Sequence, residues 1–282
     1  MADGSQPDSP RPASRELAFT RHEGRRGAQW LVEAWAMLAR ERMPWIGLVL
    51  AYYVVLALIE WTPWIGAFLA PILKPVLSVG MLAAAWTQER GGRPELRMLG
   101  RGFGANLWAL VPLGVVLIVG VAIAIAATAL VDGGKLLELL YGSAPVDSDS
   151  AAAASSVRAT LADPSVELAM LFGGLCALPT ILALWWAPAL VVFQDASAPA
   201  ALRASLRAAL ANWRPVLRYA LLVFMLGGVV PSFLTTLVAL IVPAAAYPLV
   251  ASALLLPYVI IFVTVLHIAD YVSYRDVFHA GE

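Results

Sequence analysis

Six long apolar runs set the pattern of the chain, at about residues 44–61, 64–86, 107–131, 166–193, 215–242 and 249–267. A helix of roughly 20 residues crosses the ~30 Å hydrocarbon core of a bilayer, and each run comes close to or exceeds that length. Soluble cores are built from shorter apolar pieces. The pattern therefore predicts an all-α, polytopic membrane protein with six transmembrane helices. Thr62-Pro63 and the Pro243–Pro248 stretch read as tight turns. With the long 132–165 loop they group the spans into three hairpins. Trp61, Trp64 and Trp86 frame the first two spans, as amphipathic rings do at headgroup level.

An amphipathic segment precedes each hairpin. Between Gln29 and Arg42, the residues Trp30, Leu31, Ala34, Trp35, Met37 and Leu38 share one helical arc, with Gln29, Glu33 and Arg40 opposite. That suits a helix lying in the interface plane. Leu96–Asn106 (LRMLGRGFGAN) returns as Leu202–Asn212 (LRASLRAALAN). Each copy has a Pro upstream (Pro94, Pro199), two Arg four apart (Arg97 and Arg101; Arg203 and Arg207), a closing Asn and then a Trp (Trp108, Trp213). The two copies read as Arg-bearing surface helices that feed the second and third hairpins. In span three, Gly120, Ala124 and Thr128 form a small-residue face that permits close helix packing. Pro179 and Pro188 predict kinks in span four, whose boundary Trp185-Trp186 would mark. Inside the long loop, Lys135–Tyr141 suits a short helix and Ser143–Ser156 a mobile low-complexity stretch.

Residues 1–27 are rich in Ser, Pro, Gly and Arg and read as a disordered cytoplasmic tail; 28–278 form the membrane domain and 279–282 a C-terminal tail. Charge placement sets the orientation. With the N-terminus cytoplasmic, 16 of the 19 Lys and Arg fall on that side, against Lys135 and Arg158 outside and Lys74 within span two. Both termini are therefore placed in the cytoplasm and the chain in a bacterial inner membrane.

Composition agrees: 61% of residues are hydrophobic, 13% charged, and the mean hydropathy is +0.78. One cysteine excludes an intramolecular disulfide framework, and three scattered His give no metal cluster. No apolar segment precedes residue 28, so the first span is expected to act as the insertion signal.

The stretches APALVVFQD (Ala187–Asp195), Ala211-Asn212-Trp213 and YVSYRDVF (Tyr271–Phe278) resemble the hallmarks of the BPSS-type family of uncharacterised proteobacterial six-span inner-membrane proteins. The resemblance covers roughly residues 28–278. It implies a location and a topology but no activity. In layout the chain is also similar to the membrane domain attached to some glycerophosphodiester phosphodiesterases.

Lys74 is the sharpest candidate for chemistry, since a Lys at the centre of a span costs about 2.5–3.5 kcal/mol on insertion scales. It sits between Pro71 and Pro75, which free carbonyls that an ammonium could bond. One reading is an anionic-solute contact in a broken helix; the other is a lysine that snorkels or satisfies those carbonyls. Arg97, Arg101, Arg203 and Arg207 read either as solvated surface or as contacts to anionic lipid headgroups. Glu60, Glu167 and His267 read as boundary residues, Cys176 as a small hydrophobe, and Asn106 and Asn212 as structural hydrogen-bonders. Arg275-Asp276 would lock the C-terminus to a loop charge, with Asp195 the natural candidate. No catalytic constellation, cofactor site or nucleic-acid patch is legible. The leading expectation is a non-catalytic membrane component whose partners are membrane lipids and unidentified proteins. The alternative is a transporter or permease-like protein with Lys74 on the path.

Overall fold

The computed structural model describes residues 17–62, 65–142 and 150–279, with backbone alone for 150–154. Among these, every regular element is helical: α1 (Arg26–Arg40), α2 (Arg42–Glu60), α3 (Ile65–Glu89), a 3-10 segment (Leu96–Gly104), α4 (Leu107–Asp132), α5 (Lys135–Tyr141), α6 (Ser150–Leu161), α7 (Pro164–Trp185), α8 (Ala187–Phe193), α9 (Ala198–Ala211), α10 (Trp213–Phe224), a π segment (Met225–Val229), α11 (Val230–Ile241) and α12 (Tyr247–Phe278). Six helical stretches are long and apolar enough to span a bilayer: α2, α3, α4, α7 with α8, α10 through α11, and α12. The chain is an all-α, multi-pass membrane protein. The Thr62-Pro63 turn, most of the expected tail and residues 143–149 of the low-complexity stretch fall wholly or partly outside the described residues.

Local chemistry accounts for the element ends. The Asn106 side chain caps α4 by accepting from the Ala109 N–H. Gly133 and Gly134, at φ of +67° and +94°, turn the chain out of α4 through left-handed backbone that a Cβ would oppose. Both carboxylate oxygens of Asp132 then accept backbone N–H groups at the start of α5. Asp163 caps α7 and also receives Lys135 Nζ at 2.5 Å, contacts that hold this carboxyl down at about 2.

Span four is two helices rather than one kinked rod. Pro188 sits in the first turn of α8, where its missing N–H costs nothing, and the break falls at Trp186. Pro179 lies inside an uninterrupted α7. Span five contains the π segment just ahead of Pro231, which cannot donate back to the preceding turn. Residues 150–156 of the stretch expected to be mobile are helical, as the start of α6.

The small-residue face of α4 packs along α7 as its spacing predicts. A Cβ on Gly120 would lie 2.3 Å from Thr180 Cγ2, and one on Gly173 would lie 2.7 Å from Thr128 Cγ2, so the backbones approach where side chains are absent. At the end of the bundle that carries α1, the interfacial reading of that helix changes. Its buried residues Gly27, Trp30, Leu31, Ala34, Met37 and Leu38 pack on protein, chiefly α12 and α10. Val32 and Trp35 remain exposed along the adjoining edge.

Candidate functional site at the α1 end of the bundle

The last turns of α12 carry the YVSYRDVF stretch, and nearly every residue in it is engaged. Asp276 accepts two bonds from the Arg26 guanidinium at 2.7 Å each and a third from Trp30 Nε1 at 2.9 Å. The pairing with Asp276 raises the affinity of Arg26 for its proton above the usual value. Arg275 bridges Glu33 of α1, at 2.7 Å, and Glu89 of α3. Tyr271 donates its hydroxyl to the other Glu89 oxygen at 2.5 Å. Ser273 accepts Trp186 Nε1 at 3.0 Å, and Tyr274 stacks on Phe193 and Phe278. Asp195, the expected partner of this end, is not involved; it sits in a turn at φ 49°. Loop position in sequence suggested Asp195, whereas helix packing brings Glu33, Glu89 and Arg26 to α12.

Residues 17–25, within the stretch expected as a disordered tail, form a strap over this clasp. Thr20 N–H donates to the Val277 carbonyl, and Phe19 meets Phe278 edge to face. Asn212 closes the strap. Its Oδ1 accepts from His22 N–H at 2.8 Å, while its Nδ2 donates to the carbonyls of Thr20 and Ala208 at 3.0 Å each. The repeat's second Asn is thus a fully buried, satisfied hydrogen-bonder. Beside the clasp a crevice of about 180 Å³ is lined by Glu33, Ala36, Met37, Arg40, Gln88, Glu89 and Arg275.

Beneath the ionic layer lies an aromatic core. Trp30 is fully buried and meets Trp185, Trp186 and Tyr219 edge to face at centroid distances of 6.2, 6.5 and 5.9 Å. Trp186 is likewise fully buried and Trp185 half-buried, so the pair expected to mark the boundary of span four packs on protein instead. Its backbone N–H reaches Ser205 Oγ of α9, which itself donates to the Leu182 carbonyl. Buried polar groups on three elements therefore fix the α7–α8 break.

Lys74 lies in a continuous α3, not a broken helix: Ile65–Glu89 runs helical through both Pro71 and Pro75. Its half-buried side chain takes no hydrogen bond or ion pair among the described residues, so the freed carbonyls are not what it satisfies. The Arg pairs also differ from each other. Glycines wind the first copy into a 3-10 helix of three residues per turn, so Arg97 and Arg101 point about a third of a turn apart. Arg97 is paired with Glu95 and lowers the proton affinity of that carboxylate. The second copy is the α-helix α9. Its alanines Ala201, Ala204, Ala208 and Ala209 are buried, while Arg203 and Arg207 are exposed, as is Leu210. Arg203 also donates to its own Pro199 carbonyl.

Sequence reasoning missed a polar cluster along the middle of α12, half-buried against α2 and α7. Trp185 Nε1 donates to Asp270 Oδ1 at 3.0 Å, and the Tyr53 hydroxyl lies 3.3 Å from His267 Nε2. The one available signal was the i, i+3 spacing of His267 and Asp270 at the end of the sixth apolar run.

The chain is 28% identical over 260 residues to a probable inner membrane protein of Burkholderia thailandensis, a match covering 91% of this chain and 92% of that one. No family model matches the chain, so the BPSS-type resemblance gains no support of that kind. No solved structure matches it. The likeness fits an uncharacterised kind of membrane protein, and the relative's name states a location without an activity.

Proposed function

We propose that the protein is a non-catalytic component of a bacterial inner membrane, with both termini cytoplasmic, that gathers anionic phospholipid around its cytoplasmic face. The observation that carries this reading is the geometry of α9. Its alanine side is buried against α7 and α8, its leucines lie half-buried or exposed, and Arg203 and Arg207 stand outward. A helix so placed sets apolar side chains among the upper acyl chains and guanidinium groups at phosphate level. Each such cation is worth about 1 kcal/mol near an anionic surface. Arg101 adds a further exposed cation on the first copy, whereas Arg97 contributes less because Glu95 shares its charge. Exposed Trp108 and Trp213 follow the two copies as interface anchors. The clasp supports the non-catalytic side of the reading, since Arg26, Arg275, Glu33, Glu89 and Asp276 are spent on one another.

Replacing Arg97, Arg101, Arg203 and Arg207 together by Gln keeps helix propensity. The variant is expected to fold normally and to co-purify with less anionic lipid by mass spectrometry. An unchanged lipid complement would defeat the proposal. Orientation is tested in a Cys176→Ala background. Gly100→Cys adds a Cβ that meets nothing within 4 Å, and Ala162 is exposed between α6 and α7. On intact spheroplasts an impermeant thiol reagent should modify Ala162→Cys and spare Gly100→Cys. The opposite pattern would reverse the orientation.

A second reading, a permease-like protein for a small anionic solute, is favoured by one observation: Lys74 has no partner among the described residues. Lys74→Met should then keep its basal stability and lose a thermal shift that one member of a panel of anions gives the wild type. If no anion shifts the wild type, this reading falls.

A further inference from the structure

Asp270 lies half-buried in α12, about 12 Å of helix before its end, beside Ser78 of α3 and Trp185 of α7. A carboxylate held in such a place needs either a cation or several hydrogen-bond donors. The surroundings supply neither. Among the described residues, Trp185 N–H is the one donor to it. The cations on the adjoining helices are engaged elsewhere or removed: Arg275 is bound by Glu33 and Glu89, and Lys74 lies a turn further along α3 from Ser78. The other titratable groups within its electrostatic reach are the hydroxyls of Tyr52 and Tyr53 on α2 and Tyr219 on α10. His267 stands one turn before it on the same helix, edge-on to the Tyr52 ring and beside Tyr53.

A cavity of about 30 Å³ opens beside Asp270, lined by Ser78, Met81, Leu82, Trp185, Pro188 and His267. That is room enough for a water molecule, and the lining has the polar partners a water requires. Ser78 Oγ already donates to the Pro75 carbonyl, so towards the cavity it can only accept. Asp270 can only accept while ionised. Two acceptors facing a water-sized space, with no metal-like shell around them, suit a species that arrives with protons. Hard metal cations take about six oxygens or more, and among the lining side chains only Asp270 and Ser78 carry oxygen.

We propose that Asp270, with Ser78 and His267 around this cavity, is a proton-binding site within the membrane domain. The bound proton neutralises the carboxylate, and the cavity water links it to His267 and Ser78. The site is independent of the arginine faces and of lipid binding. Because Trp185 both bonds Asp270 and stacks on Trp186 at 4.8 Å, occupancy is coupled to the aromatic core under the clasp.

Infrared difference spectra of the whole protein in lipid nanodiscs test the proposal. At about pH 6, exposed carboxylates are ionised. The wild type should still show a protonated-carboxyl stretch that shifts in heavy water, and Asp270→Asn should lack it. The Asn amide keeps an acceptor for Trp185, which protects the fold. Trp185→Phe is the second variant: it leaves Asp270 in place and removes the donor, so the band should persist and move to higher frequency. Wild type and Asp270→Asn giving the same spectrum, or a band indifferent to Trp185→Phe, would overturn the assignment. A band abolished when sodium replaces potassium at constant pH would assign the site to a metal cation and overturn it equally.

Discussion

Trp30→Ala is expected to destabilise the folded bundle by about 3–5 kcal/mol, the cost of emptying a fully buried aromatic site. The indole fills the space where α1, α7, α8 and α10 meet, touching Trp185, Trp186 and Tyr219 edge to face. Such ring pairs add about 0.5–1.5 kcal/mol beyond area burial. Truncation also strips Asp276 of the indole N–H, leaving the Arg26 pair to hold that carboxylate with one donor fewer. Trp30→Phe retains much of the volume without the N–H and should cost clearly less. Thermal unfolding in mild detergent, followed by tryptophan fluorescence of each variant, checks the order. Trp35 on the same helix is 53% exposed and serves as the control, since Trp35→Ala should cost little. Equal losses at the two positions would mean that α1 rests on lipid and not on the bundle.

That contrast also separates what could be read from the chain alone from what could not. The number and placement of the spans were legible because bilayer thickness imposes a length on each apolar run, and the α4 face was legible because small residues at four-residue spacing have few other uses. The amphipathic arc of α1 was equally visible. What fills it was not, because acyl chains and protein side chains are both apolar and the arc is the same for either. Trp30 and Trp186 misled for the same reason: a tryptophan near the end of an apolar run can anchor at headgroups or pack inside. Pro188 looks like a kink in sequence because its role in the first turn of a new helix depends on the buried contacts made by Trp186 and Ser205.

The candidate site was legible as residues and not as partners. Arg275 and Asp276 stand out in the sequence as pairing groups, but the choice of Glu33, Glu89 and Arg26 over Asp195 follows from how α1 and α3 pack on α12. The strap left little trace, since it is held mainly by backbone groups, the Asn212 side chain and the contact of His22 with Asp276, none of which shows in an apolar pattern. Asp270 and His267 look like isolated polar residues at the end of a run. Only the approach of α3 and α7 gives them neighbours.

The larger consequence of such close packing falls on the first arginine segment. A Cβ on Gly102 would lie 1.9 Å from the Val76 carbonyl oxygen and 2.7 Å from its carbon, both backbone atoms of α3 that no rotamer change can move. Gly80 of α3 faces Leu99 of the segment in the same way, so the two backbones are in contact on both sides. Gly102→Ala must therefore lift the 3-10 segment off α3, exposing Met98 and Leu99, which are now buried. Overpacking of this kind costs about 1–3 kcal/mol and occasionally more. Gly100 is two residues away on the exposed side, where a Cβ meets nothing within 4 Å. Gly100→Ala should be neutral or stabilising by about 0.4–1 kcal/mol, because it restricts the unfolded chain without a clash. Comparing the two single variants by thermal unfolding isolates the contact, since both change the same residue type in the same segment. The displacement should also move Arg101 from its place beside α3, so lipid mass spectrometry on Gly102→Ala should show a smaller loss of anionic lipid than the four-arginine variant gives. If Gly102→Ala and Gly100→Ala unfold at the same temperature, the segment is not seated on α3 and the first arginine pair is held by something other than this packing.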